Sequence, residues 1–253
     1  MAAALPDQLP GLLRFARTLA GQGMDAEDLV QETVSRALAR ADGFREDASL
    51  ATWLHRILHN LVVDQARRRH EEPVEDLTEA VESRWRDDSY TVDLSVVLSR
   101  AEERADLLDA LSHLPFGYRT AVVLHDAEGM SVREIADIQE VSLPAAKQRL
   151  RRGRMMLVSE LAKGHERQER RPGVPMRCWE ARREIGDYID GDLDPGTARR
   201  LERHLEGCPT CPALYAGLVG TAEALRVSAE RDPDTVVPPD VLDRLLGGQR
   251  HRA

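Results

Sequence analysis

Three cysteines and a histidine in the last third of the chain have the types and spacing of a metal site. His204, Cys208 and Cys211 form His-x3-Cys-x2-Cys, with Gly207 just before the first thiol. Two thiols about one helical turn apart grip a single ion, and a sharp turn at the glycine brings the histidine beside them. Cys178, at the start of an upstream helix, supplies a fourth ligand. Cys178, His204, Cys208 and Cys211 together make a closed tetrahedral set of the kind structural zinc (Zn2+) takes. No position is left for water, which argues against a hydrolase. All the cysteines of the chain are used, which favours a metal over a disulfide scaffold. The alternative is three buried or redox-active thiols without an ion. So small a module has little other core, so metal binding is expected to supply its folding energy.

A second constellation is cationic. Ser131–Arg154 reads SVREIADIQEVSLPAAKQRLRRGR. Gly129 suits the left-handed residue past a helix end. Ser131 with Glu134 makes a capping box, and Val132, Ile135, Ala136 and Ile138 give a short helix one apolar face. After a break at Gln139–Val141, Ser142 caps a second helix with Pro144 in its first turn. That helix carries Lys147, Gln148, Arg149, Arg151, Arg152 and Arg154, with no acid among them. Two short helices, a tight break and a basic second helix are the parts of a helix-turn-helix, held in the major groove mainly by phosphates. The bland alternative is a helical hairpin with a solvated basic face. The turn usually holds glycine; here Glu140 is expected to take a positive φ.

The elements that position these groups are helical throughout. Leu5–Ala20, Asp25–Ala41 and Leu50–Arg69 each carry an apolar stripe of helical period. The third has Trp53, Leu54, Ile57, Leu58, Leu61 and Val62 inward and ends in Arg67, Arg68 and Arg69. Residues 71–106 are rich in acids, with little periodicity before Asp93, and read as a flexible acidic linker that turns helical near its end. Leu107–Leu114 begins the second domain, and helices are expected over Phe116–Glu128, Arg177–Asp190, Pro195–Leu205 and Thr210–Glu230, with a short amphipathic one around Val241–Leu246. The fold class is therefore all-α. The expected domains are 1–70, a linker 71–106, a helix-turn-helix domain 107–162, a linker 163–175 and a small zinc-binding domain 176–253.

Composition limits the function classes. A formal net charge of −9 excludes indiscriminate nucleic-acid binding, so DNA contact must come from local basic patches. No run is long and apolar enough for a membrane span, and the N-terminus lacks the basic and apolar regions of a signal peptide. A cytoplasmic location without membrane contact is expected. No paired carboxylates or nucleophile constellation lies near the metal set, so an enzyme is not expected.

The chain resembles the extracytoplasmic-function group of bacterial sigma factors, subunits that direct RNA polymerase to promoters. DAEDLVQETVSRAL and GFREDASLATWLHRILHNLVVDQARRR, within Asp25–Arg69, are similar to region 2, and Leu107–Leu161 is similar to region 4. The resemblance implies that Asp28, Gln31 and Glu32 dock on core RNA polymerase. It implies that the loop Phe44–Ser49 and Asn60 receive a flipped base of the melted −10 strand, a step that needs a shaped pocket. Arg56 and Arg67–Arg69 would contact phosphates. Lys147, Gln148 and Arg151 match positions facing the double-stranded −35 element, while Arg149 and Arg154 hold the backbone. Glu140 and Ala145 stand where the family carries glycines.

The C-terminal third resembles the zinc-binding anti-sigma fold, which implies that Cys178, His204, Cys208 and Cys211 bind zinc. It also implies an intramolecular contact between the zinc domain and the sigma domains. The resulting reading is two small helical sigma domains plus a zinc domain that regulates them. The alternative is a freestanding helix-turn-helix regulator that senses metal or redox state.

Overall fold

Residues 4–19, 25–41, 44, 49–69, 76–168 and 176–230 are described by the computed structural model; for 66–69, 76–78 and 167–168 the backbone alone is described. The chain divides into two units. The first draws on Met1–Pro73, Arg119–Lys147 and Arg226–Ala253, the second on Val74–Tyr118 and Gln148–Leu225.

In the first unit, amphipathic sequence makes three packed helices: α1 (Leu5–Leu19), α2 (Ala26–Ala39) and α3 (Leu50–Arg69). Asp25 caps α2, accepting the Glu27 N–H at 2.7 Å. Leu9, Leu12, Phe15, Val30, Val34, Leu54 and Leu58 are buried between the three. Trp53 and Ile57 are only half-buried, whereas Thr52, His55 and His59 are buried instead. The apolar stripe alone misplaces this face by part of a turn. Polar groups can take the inner positions because they find partners. The Thr52 hydroxyl meets Ser49, and the His55 Nδ1–H donates to the Ala51 carbonyl at 2.8 Å. Trp53 instead stacks at a tilt on Phe44, 5.1 Å between ring centroids.

The rest of this unit belongs to the helix-turn-helix. α7 (Phe116–Val122), part of this unit from Arg119 onward, runs into a π-helical turn, Val123–Ala127, and Gly129 takes φ 68° behind it. α8 (Val132–Gln139) begins at the predicted capping box of Ser131 and Glu134 and packs against α3. It ends at Glu140 with φ 53° and ψ 45°, the left-handed conformation expected for the missing glycine.

His55 makes this unit pH-sensitive. Its Nε2 is buried without a hydrogen bond among the described residues, and burial lowers its pKa from 6.5 to about 4, with Arg14 adding to the effect. The unfolded chain takes up a proton near 6.5 and the folded unit resists until about 4. Stability therefore falls as pH drops through that window, by roughly 3 kcal/mol in the limit. Thermal unfolding between pH 7 and 4.5 is expected to show this loss, and His55→Gln to flatten it. A His55→Gln chain whose Tm falls just as steeply would assign the loss to other groups.

The second unit contains α4 (Asp76–Arg86), β1 (Tyr90–Val92), α5 (Leu94–Glu102) and α6 (Arg104–Ser112). It also contains α9 (Leu143–Leu161) from Gln148 onward, β2 (Glu166–Gln168), α10 (Cys178–Ile189), α11 (Pro195–Gly207) and α12 (Cys211–Glu230) as far as Leu225. The acidic segment expected to be flexible is therefore folded across 76–102. Its anchors are few but large: Trp85 is fully buried with its indole N–H donating to Ser159 Oγ at 3.0 Å and its ring 6.2 Å from that of buried Tyr90, and Val92, Val97 and Ala101 are buried as well. Counting charges hides such anchors. β1 pairs antiparallel with β2, Tyr90 opposite Gln168 and Val92 opposite Glu166, so part of the segment 163–175 is a strand and not linker. This short ladder is the one departure from an all-α fold among the described residues. Asp194 caps α11 by accepting the N–H groups of Gly196 and Thr197, and Gly191 ends the helix before it at φ 75°. The helix expected around Val241–Leu246 lies outside the described residues.

Candidate metal centre and nucleic-acid interface

The four predicted ligands converge. The ligand atoms of Cys178, His204, Cys208 and Cys211 all lie within 4.8 Å of one another and all four residues are buried. Cys178 Sγ is 3.6 Å from Cys208 Sγ, and His204 Nε2 is 3.3 Å from Cys211 Sγ. Thiolates about 2.3 Å from a tetrahedral zinc stand about 3.8 Å apart, so the cluster has the size of a zinc cage. Local structure explains the convergence. Cys178 and Cys211 open α10 and α12, where unpaired N–H groups favour a thiolate. Cys208 caps the end of α11, its N–H bonded to the His204 carbonyl at 2.8 Å.

The electrostatics differ among the ligands. Burial pushes the Cys211 and Cys178 thiols above their usual range. Burial also acts on Cys208, but hydrogen bonds from the Thr210 hydroxyl and from the Cys211 and Thr210 backbones outweigh it and bring this thiol down. Burial holds His204 below its usual value, and therefore neutral, the form a metal needs. Arg182, four residues after Cys178, is 1% exposed. Its Nη1 donates to the carbonyls of Trp85 and Asp87 at 2.6 and 2.7 Å, and its Nη2 to the Tyr90 carbonyl and Thr210 Oγ1 at 2.8 and 3.2 Å. One guanidinium thus joins the knuckle between the two cysteines to the segment joining α4 and β1. Sequence reasoning missed it, although a cation one turn after a ligand cysteine is a readable signal.

On α9, Gln148 is exposed, Lys147, Arg149, Arg151 and Arg152 are half-buried, and Arg154 is 3% exposed. Several of these cations face partners within their own unit. The Glu82 carboxylate of α4 accepts Arg152 Nε at 2.5 Å and stands 3.8 Å from Arg151. Arg154 makes two bonds of 3.0 Å to Asp190 of α10. The Trp179 ring lies against both Arg151 and Arg86, 5.8 and 5.2 Å from its centroid. Glu82, Trp179 and Asp190 carry no motif and were invisible in the sequence.

The residues attributed to region 2 fall on separate surfaces. Asp28, Gln31 and Glu32 are exposed along α2, with Glu32 paired to Arg36 at 2.7 Å. Asn60 lies on α3, half-buried, and Phe44 stands against Trp53. Residues 45–48 of the base-receiving loop, and the side chains of Arg67, Arg68 and Arg69, lie outside the described residues. No helix among the described residues is long and apolar enough to cross a membrane.

Three known families match parts of this chain. The Sigma-70 region 2 family matches residues 7–72, Sigma-70 region 4 matches 104–157, and a zinc-finger family matches 178–211. A sigma factor SigE of the extracytoplasmic-function group from Mycolicibacterium smegmatis is 37% identical over 150 residues, covering 59% of this chain and 57% of that one. The sigma factor EcfG of Rhodopseudomonas palustris is 36% identical over 151 residues, covering 59% of this chain and 78% of its own length. A solved complex of the sigma factor RpoE with the anti-sigma factor NepR from Bartonella quintana matches with 27% identity over 64% of this chain and 95% of that one, at a TM-score of 0.45. The chain belongs to the extracytoplasmic-function family of RNA polymerase sigma factors. Its relatives are transcription initiation factors and not enzymes. The freestanding-regulator alternative is not favoured, because both sigma regions match in order.

Proposed function

We propose that this sigma factor is built closed: its own acidic helix and zinc module hold the arginines of the −35 reading helix until a signal rearranges them. The observation that carries the reading is the engagement of three arginines on α9. Glu82 bonds Arg152 and stands 3.8 Å from Arg151, Trp179 lies against Arg151, and Asp190 holds Arg154. Promoter DNA must displace these partners, because a guanidinium fork satisfied by a carboxylate is not free for phosphate or guanine. Asp28, Gln31 and Glu32 remain exposed, so the closed chain keeps the surface attributed to polymerase docking. In the open form Lys147, Gln148 and Arg151 meet the −35 element, Arg149 the backbone, and Asn60 the −10 strand. Zinc is the metal proposed for the Cys3His cage, from ligand set and size together. It fixes α10 to α12, and oxidation or loss of its thiolates is the change such a cage transmits.

The test is transcription with core polymerase and −35 duplex binding by the full-length chain. Glu82→Gln combined with Asp190→Asn keeps both side-chain shapes and removes both charges. Transcription and duplex affinity are expected to rise severalfold over the unmodified chain. A variant that folds, binds polymerase and transcribes less would instead make the zinc module an activating contact.

A further inference from the structure

Three glutamates six residues apart, Glu128, Glu134 and Glu140, all reach across the first unit to donors on its three-helix part. Glu128 receives both Nε and Nη2 of Arg14, at 3.1 and 2.8 Å. Glu134 accepts the Thr52 hydroxyl at 2.8 Å with one oxygen, while the other closes the capping box on Ser131. Glu140 accepts the Asn60 amide at 3.2 Å. Thr52 and Asn60 lie about two turns apart on α3, and Glu134 and Glu140 stand at the two ends of α8. α8 therefore lies along α3 in the same direction, fastened at both ends.

We propose that these glutamates form a clasp that closes region 4 on region 2, distinct from the contacts on α9, and that Glu140 is the member that masks Asn60. What the clasp conceals rests on the reading of Asn60 as a base-contacting residue; its existence does not. Glu140 is the telling position. A glutamate at φ 53° is strained where glycine would be relaxed, so local backbone preference argues against it. Its side chain nevertheless meets the one residue of α3 assigned to the −10 strand. The Asn60–Glu140 tie is weak alone, because both residues are partly solvated. Joined by the packing of α8 on α3, the three ties act together, so releasing one loosens the others.

Carboxylate footprinting of the full-length chain tests this without promoter or polymerase. Carbodiimide couples glycinamide to accessible carboxylates, and peptide mass spectrometry reads the rate at each. In the unmodified chain Glu128 and Glu134 are expected to label far more slowly than exposed Glu32. Glu140→Gly relaxes the turn and cuts the tie. It is expected to raise labelling at Glu128 and Glu134 severalfold, although Glu140 bonds to neither. Glu140→Gln keeps the acceptor and should leave both protected. Asn60→Ala cuts the same tie from the other side, leaves the turn alone, and should raise both again. If Glu128 and Glu134 stay protected in both Glu140→Gly and Asn60→Ala, Glu140 is a turn residue and the clasp is refuted. A loss of −10 selectivity without any change in labelling would likewise uphold Asn60 as a base reader and refute the clasp.

Discussion

Chelation under reducing conditions is expected to unfold α10 to α12 of the full-length chain and to detach α4 and β1 with them, while α1 to α3 keep their helicity. The argument is one of magnitudes. Structural zinc sites contribute about 10–16 kcal/mol of apparent binding energy, and a whole domain is stable by about 5–15 kcal/mol. Removing the ion therefore exceeds the margin of a module whose core around the cage is Cys178, Cys208, Cys211 and the flank of Leu205. From sequence the damage should stop at residue 176. The structure carries it further, because Arg182 fastens the carbonyls of Trp85, Asp87 and Tyr90 to the knuckle at Thr210. Elemental analysis should find one zinc per chain, and circular dichroism should show a partial loss of helix on chelation. Protein purified under reducing conditions without metal, or a second unit indifferent to chelator, would defeat the cage.

Replacing Arg182 by methionine is expected to cost about 3–5 kcal/mol, because several buried acceptors lose their donor at about 1–3 kcal/mol each, partly offset by no longer burying a charge. Methionine fills the space but leaves three carbonyls and the Thr210 hydroxyl without their donor. Lysine restores the charge but presents one point where the guanidinium presents a fork, so Arg182→Lys should recover only part of the loss. Denaturant midpoints measure the cost. The rate at which a chelator strips the ion supplies the second readout, since a loosened knuckle gives up its metal faster. An Arg182→Met chain within 1 kcal/mol of the original, with unchanged metal release, would show that the network is dispensable.

What could be read beforehand follows a physical division. Caps and turns were legible at Ser131, Glu140, Gly191 and Asp194, because their requirements are local and act through residue type. The metal set was legible because four rare residues at fixed spacing have few other uses. The buried face of α3 was not, since Thr52 is inward with Glu134 far along the chain as its partner, and His55 with the Ala51 carbonyl of its own helix. The acidic segment was misjudged for a related reason. Its order depends on Trp85 finding Ser159, and on β1 finding β2, pairings between residues far apart in the chain. The partners of the α9 arginines were hidden in the same way: Glu82 and Asp190 look like any surface acids until the chain is folded.

The pairing of β1 with β2 sets an order of events in folding. Three residues on each side close a loop that contains every element from α5 to α9. Loop closure costs entropy that three short pairs cannot repay by themselves, so this ladder forms only after the enclosed helices have drawn its ends together. On a growing chain β2 emerges long after β1. Through that interval Tyr90–Val92 waits without its partner, and α9 is complete before Trp179 and Asp190, two of the three residues that engage its arginines, have been made. A nascent sigma factor of this design thus passes through a stage in which its DNA-reading helix is finished and its restraint is not. That stage ends only when α10, which follows the ladder in the chain, has been made.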